Sequence, residues 1–328
     1  MKIDSQEKII EVRNLSKHFK GRGGIFSKTI LRAVDDVSFF VMRGETLGLV
    51  GESGSGKTTV GRMLINLYKP SSGEILFKGY DISSPEGRKI ASQKISMVFQ
   101  DPYSSLDPRM NTLDIIAEPL DIQELYTSRE ERRERVLSLM EKVGLKAEHA
   151  SRYPHEFSGG QRQRIGIARA ISAMPEFVIC DEPVSALDVS VRAQIMNMFS
   201  DLKEEYSLSY LFIAHDLPIV RHISDRIAVL YLGKIVEVGD ADDVSENPLH
   251  PYTKALISSI LPPDPKSASK MRVKKTSSDY LNDIATFIGC PFKSRCPYCA
   301  DICKSEMPKL TKVEGKHFAA CHRVKEIN

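Results

Sequence analysis

Apolar and polar positions alternate over residues 9–19 and again over 33–41, the period of two expected of half-buried strands. A basic, Gly-rich insertion at 20–28 separates the two runs. A short apolar strand is expected from Glu45 to Val50, followed at once by a glycine-rich loop, and helix can continue from Lys57 to Leu67. A second helix is expected to start at Ser128. There Ser128 and Glu131 have capping-box spacing, and Val136, Leu139, Met140 and Val143 supply one apolar face. Further strands read at 176–180, 209–214 and 226–231. Between the first two, residues 189–206 carry Val191, Ile195, Met198 and Leu202 at helical spacing. Strands alternating with helices predict a largely parallel α/β sheet. Beyond Leu261 the chain turns to Pro, Ser and Lys through Ser278, the composition of a linker, and a cysteine-rich tail follows. No internal repeat is present, so the pattern calls for one such α/β domain.

Composition narrows the class. The 328 residues are 41% hydrophobic and 27% charged, as in globular proteins, and long enough to bury a sizeable core. A net charge of +3 is small for this length and argues against a dedicated nucleic-acid binder, which needs a concentrated basic face. Met1 to Arg13 holds no apolar segment of signal-peptide length, and no run approaches the ~20 apolar residues that span a bilayer. The reading is a cytosolic protein, or one that docks on a membrane through other subunits. Of the six cysteines, five lie between Cys290 and Cys321. In a reducing cytosol such clustering reads as a metal site before it reads as disulfides. Cys180, inside an apolar strand, reads as packing.

The glycine-rich loop carries the first chemistry. Gly51-Glu52-Ser53-Gly54-Ser55-Gly56-Lys57-Thr58 fits G-x-x-x-x-G-K-[ST], between a predicted strand and a predicted helix. Glycines let the backbone wrap phosphates closely, and the amides form an anion nest at a helix N-terminus. Lys57 would reach the β- and γ-phosphates, and the Thr58 hydroxyl would ligate Mg²⁺. Further on, an apolar strand from Phe177 ends in Asp181 and Glu182. Asp181 suits Mg²⁺ coordination, and Glu182 suits a base that polarises the attacking water.

Phe157-Ser158-Gly159-Gly160-Gln161 resembles the signature sequence of ATP-binding-cassette (ABC) ATPases. It stands at the start of a helix expected from Gln161 to Ile171, whose dipole would face an anion. The resemblance implies that this anion is the γ-phosphate held by an opposite subunit. Other landmarks of the family follow in order over residues 9–250. Phe19 matches the aromatic that stacks on adenine, with a buried strand residue as the competing reading. Gln100 matches the glutamine that senses Mg²⁺ and water, Ser185-Ala-Leu-Asp188 the loop crossing the dimer interface, and His215 the histidine that touches the γ-phosphate. The implied catalytic group is Lys57, Gln100, Glu182 and His215. The implied ATP contacts are Phe19, Gly51, Glu52, Ser53, Gly54, Ser55, Gly56, Lys57, Thr58, Thr59, Gln100, Ser158, Gly159, Gly160, Gln161, Asp181 and Asp188, with Thr58, Gln100 and Asp181 on Mg²⁺. The implied fold is a P-loop NTPase of the ABC nucleotide-binding type, with a RecA-like core, an antiparallel β subdomain and a helical subdomain. It would span 7–255, the helical subdomain at about 101–165, with a Cys-rich extension at 256–328.

Two segments resemble the oligopeptide and dipeptide importer ATPases, particularly the second of their two ATPase subunits. They are Gln100-Asp-Pro-Tyr-Ser-Ser-Leu-Asp-Pro-Arg-Met110 and Pro248-Leu-His-Pro-Tyr-Thr253. This resemblance implies a second, homologous ATPase subunit, two transmembrane permeases and an extracytoplasmic solute-binding protein, at the cytoplasmic face of the cell membrane. Residues 101–125 would meet the permeases. Relatives in this group also carry nickel, glutathione or oligosaccharides, and soluble ABC ATPases of translation or DNA repair are the alternative class. In the tail, Cys290, Cys296, Cys303 and Cys321 resemble the ligands of a [4Fe–4S] cluster in peptide-importer ATPases. Cys299 departs from that pattern. Cys296-Pro-Tyr-Cys299 also reads as half of a zinc site, which His317 or His322 could complete.

Overall fold

The computed structural model describes residues 7–20, 30–258 and 288–328. The insertion beyond Lys20 and the linker from Leu261 to Ser278 lie outside the described residues. In chain order the strands and helices begin with β1 (Lys8–Lys20), β2 (Ile30–Met42), β3 (Thr46–Val50), α1 (Lys57–Leu64), β4 (Ser72–Phe77) and β5 (Tyr80–Asp81). Then come α2 (Pro85–Lys94), β6 (Ile95–Val98), α3 (Pro102–Ser105), α4 (Thr112–Ile122), α5 (Arg129–Lys142), α6 (Gly159–Ser172), β7 (Phe177–Asp181) and α7 (Val189–Tyr206). The rest are β8 (Ser209–Ala214), α8 (Leu217–Ile223), β9 (Arg226–Tyr231), β10 (Lys234–Asp240), α9 (Ala241–Glu246), α10 (Pro251–Ser258), α11 (Asp301–Ser305), β11 (Thr311–Glu314), β12 (His317–Ala319) and α12 (Val324–Ile327).

These elements divide into two units, one of Met1–Ile10, Val41–Glu45 and Leu76–Phe212, the other of Glu11–Phe40, Thr46–Ile75 and Ile213–Asn328. In the first, β8, β7 and β6 lie side by side in that order. β6 and β7 are parallel, with Ile95 opposite Phe177 and Val98 opposite Cys180. Every residue of β7 is buried, so its continuous apolar run marks a strand covered on both faces. Cys180 is fully buried there, as its packing role requires. The helices α4, α5 and α6 pack on one another in this unit. The apolar stripe expected of α5 is present, with Val136, Leu139, Met140 and Val143 all buried. Its capping box forms only by half. Ser128 Oγ accepts from the Glu131 N–H at 3.1 Å, but the Glu131 carboxylate accepts from Thr127 N and Thr127 Oγ1, both at 2.7 Å. Two donors on Thr127 outbid the single amide of Ser128.

In the second unit the strands run β11-β12-β10-β9-β3, with β2-β1-β4 as a separate sheet. β3 is parallel to β9, Val50 facing Val229. β9 turns back into β10 through Leu232 and Gly233, both at positive φ (44° and 79°), the geometry that matches a two-residue turn to strand twist. The tail returns to this sheet: β12 pairs antiparallel with β10, Glu237 opposite Ala319 and Val238 opposite Phe318. Nothing in the sequence pattern pointed to β10, β11 or β12. Among the described residues no helix is long and apolar enough to cross a membrane.

Candidate active site

In the second unit, β3 is buried throughout and delivers the chain to Gly51, from which the loop runs into α1 at Lys57. Two of its glycines are required sterically. A Cβ on Gly51 would stand 2.1 Å from Leu230 O, and Gly56, the N-cap of α1 at φ 106°, would place one 2.2 Å from Ala33 O. Ser55 O accepts from the Gly233 N–H at 2.8 Å, anchoring the loop to the β9–β10 turn. Lys57 is buried, and its Nζ donates to Gly51 O at 2.7 Å and Glu52 O at 2.9 Å, so the ammonium is folded back over its own loop. Thr58 and Thr59 follow in the first turn of α1, which carries no acidic side chain. His215 stands exposed directly after β8. Phe19, near the end of β1, is half-buried with Tyr68 edge-on at 5.6 Å, and so is not a core residue of that strand.

The first unit holds the remaining predicted residues. Asp181 is the last residue of β7 and buried. Glu182 follows in the left-handed region at φ 45°, a strained position for a non-glycine residue. Its carbonyl accepts from Ser185 N at 3.2 Å and Ser185 Oγ at 3.1 Å. Gln100 Nε2 donates to Glu182 Oε2 at 3.2 Å, so these two predicted residues meet across 82 positions of sequence. The signature segment opens α6 at Gly159, two residues earlier than the sequence suggested, and does so through a complete capping box. Ser158 Oγ accepts from Gln161 N at 3.3 Å, while Gln161 Oε1 accepts from Ser158 N at 3.0 Å. Ser158, Gly159 and Asp188 are exposed, and Asp188 stands at the N-cap of α7. A cavity of about 220 Å³ lies against Gln100, Tyr103, Gly159, Arg162 and Leu187, with the Arg162 guanidinium 5.3 Å over the Tyr103 ring.

In the tail, Cys290, Cys296, Cys303 and Cys321 line one small cavity, together with His322. Cys299 does not border it. Burial pushes the Cys290 thiol up to about 12 and raises those of Cys296 and Cys321, favouring the neutral form of these three. Among the described residues no group of three or more His, Cys, Asp or Glu is set to hold a metal ion. Each of the two histidines considered for a zinc set has its Nε2 in a hydrogen bond. His317 Nε2 bonds Glu237 Oε1 at 2.8 Å, and His322 Nε2 bonds Glu306 O at 2.9 Å.

Two residues bearing on the phosphate loop escaped the sequence reading. Tyr252 Oη accepts from the Glu52 N–H at 2.8 Å, and Arg295 forks onto the Glu52 carboxylate at 2.8 and 2.9 Å. Separations of 200 and 243 residues leave no local signal of either contact.

The fold is that of the ABC ATPase nucleotide-binding domain. It matches the dimeric post-hydrolysis structure of the ATP-binding cassette MJ0796 bound to ADP and Pi with a TM-score of 0.64 at 30% identity, covering 71% of this chain and 98% of that one. Residues 34–185 match the ABC transporter family, and residues 236–303 match the oligopeptide/dipeptide transporter C-terminal region. The oligopeptide transport ATP-binding protein AppF of Bacillus subtilis (strain 168) is 51% identical over 328 residues, 98% of this chain and 99% of that protein. OppF of the same organism, also an oligopeptide transport ATP-binding protein, is 56% identical over 262 residues, 79% of this chain and 84% of its own length. The chain belongs to the oligopeptide-transport ATP-binding subunits of the ABC transporter family.

Proposed function

We propose that this chain binds and hydrolyses ATP to power the import of di- or oligopeptides by a multi-subunit ABC transporter. The observation that carries the reading is the phosphate loop, with its complete sequence, sterically required glycines and buried Lys57 folded over the loop carbonyls. Lys57 would leave those carbonyls for the β- and γ-phosphates, which supply a stronger, charged acceptor. Gly51 to Thr59 cradle the phosphates at the N-terminus of α1, and Phe19 offers a half-exposed ring to the base. Mg²⁺, ligated by Thr58, Gln100 and Asp181, would neutralise charge on the phosphates. Gln100 holds the Glu182 carboxylate, which polarises the attacking water, and His215 steadies the γ-phosphate.

The Ser158-Gly159-Gly160-Gln161 turn, exposed at its first two residues, and the exposed Asp188 complete the site of a second subunit, and that subunit completes the site here. Donors aimed at charge that develops on the γ-phosphate are each worth roughly 10²–10³ in rate. The partners are a homologous ATPase, two permeases that receive residues 101–125, and an extracytoplasmic solute-binding protein. The subunit is peripheral, at the cytoplasmic face of the cell membrane. The ATPase domain is taken as 7–255, with the helical subdomain at about 101–165 and the extension at 256–328. In the assembled transporter, Glu182→Gln should bind ATP with ordinary affinity yet turn it over negligibly and trap the closed pair. Near-normal ATPase activity in that variant would overturn the assignment.

A [4Fe–4S] cluster on Cys290, Cys296, Cys303 and Cys321 is part of the proposal. Its support is the cysteine spacing and the four thiols that border one cavity. A bound cationic cluster would hold the four sulfurs as thiolates, against the burial that raises Cys290, Cys296 and Cys321. Iron content and visible absorbance of anaerobically purified protein test it; colourless, iron-free protein rejects it.

A further inference from the structure

Glu52 is fixed through all three of its polar groups. Its N–H donates to Tyr252 Oη at 2.8 Å, its carbonyl accepts from Lys57 Nζ at 2.9 Å, and its carboxylate takes both arms of Arg295 at 2.8 and 2.9 Å. The Arg295 side chain is only 12% exposed, and its guanidinium lies 5.5 Å from the Phe292 ring centre and 5.8 Å from that of Tyr231. Tyr252 is fully buried and packs on Tyr231, 4.4 Å between ring centres. Bidentate geometry and stacking on aromatic rings are properties of arginine that lysine lacks. Tyr252, Phe292 and Arg295 all lie in the stretch matching the oligopeptide/dipeptide C-terminal region.

A carboxylate at the second position of a loop built to receive phosphates is an electrostatic liability. A negative charge within several Å of the incoming anion weakens its binding unless a cation compensates. Arg295 supplies that cation. The Tyr252 hydroxyl holds the N–H of the Gly51–Glu52 peptide, whose carbonyl Lys57 rests against, while the fork holds the Glu52 side chain.

We propose that Arg295 is a positioning residue of the nucleotide site: it neutralises Glu52 and holds the loop entrance in its phosphate-receiving form. The C-terminal extension is thereby an integral part of nucleotide binding. This rests on the reading of the loop as an ATP site. Cys296, the next residue, borders the thiol cavity, so changes there stand one residue from the arginine that holds Glu52.

The test is equilibrium titration of the full-length chain with a fluorescent ATP analogue and with ADP, alongside thermal melting. Arg295→Met should weaken both nucleotides by roughly tenfold, with kcat in the assembled transporter much less affected. Arg295→Lys should fall between. Adding Glu52→Gln to Arg295→Met should restore most of the lost affinity by removing the carboxylate charge that Arg295 neutralises. A merely structural arginine would lower the melting temperature without that rescue. Wild-type affinity in Arg295→Met, or a loss that Glu52→Gln leaves untouched, overturns the proposal. If Arg295→Met does not fold, unchanged affinity in Arg295→Lys overturns it equally. Wild-type protein that binds no nucleotide would instead reject the ATP-site reading itself, and Lys57→Ala provides the non-binding reference.

Discussion

The Glu237 carboxylate, fully buried in β10, accepts from His317 Nε2 at 2.8 Å, from Leu249 N at 2.8 Å and from His250 N at 2.8 Å. One acidic side chain thus gathers the sheet, the turn ahead of α10 and the returning β12 strand.

Removing one partner from this buried set leaves acceptor capacity without a donor, which costs roughly 2–3 kcal/mol. His317→Ala should therefore lower unfolding free energy by about that amount in urea titration, and speed amide exchange over residues 311–319. His317→Gln, which restores an N–H donor, should recover part of the loss. An Ala variant as stable as the wild type would show that the contact contributes nothing.

His250 is buried beneath the Phe292 ring, 6.0 Å between ring centres, and accepts from the Tyr252 N–H at Nδ1. Desolvation lowers its pKa to about 4, opposed by the nearby Glu237 carboxylate. An unfolded chain would protonate this imidazole near pH 6.5. Between those two values the unfolded state binds more protons, so the stabilising contribution is intact above about pH 6.5 and is lost as pH falls toward 4. The slope attributable to this group is at most about 1.4 kcal/mol per pH unit. His250→Asn keeps an acceptor for the Tyr252 amide and should flatten that part of the curve in melting temperature against pH. An unchanged slope would remove His250 as the cause.

Ser158 caps α6, and the proposed function gives it a second role in a partner's site; substitution can separate the two. As N-cap of α6 its hydroxyl is worth about 1 kcal/mol, and Asp caps as well as Ser. Ser158→Ala should cost stability by that amount and reduce ATPase activity of the assembled pair by roughly 10²-fold. Ser158→Asp should keep the melting temperature yet abolish activity, because it turns a carboxylate toward the partner's γ-phosphate. Full activity in Ser158→Asp would count against the trans site.

Much of the site was legible because its parts are contiguous. The phosphate loop, the strand ending in Asp181-Glu182, and the Ser158–Gln161 turn each encode a local backbone form, and local forms leave local patterns. The buried β7 and the one-sided α7 were read for the same reason, since continuous apolar runs and helical spacing survive without knowledge of the partner surface. Their edges were less legible. α6 begins at Gly159 because of reciprocal bonds between Ser158 and Gln161, and the Glu131 carboxylate chose Thr127 over Ser128 on geometry that spacing does not carry.

What the sequence determined alone was therefore the chemistry: a glycine cradle with its lysine, acidic residues after a buried strand, and a serine-capped helix. Tertiary structure decided which distant groups share an environment. It placed Arg295 on Glu52, Tyr252 on the same peptide, His317 on Glu237 and four thiols around one cavity. The physical reason is that such contacts depend on the path of the chain through a sheet, and no short-range periodicity records which residues that path brings together.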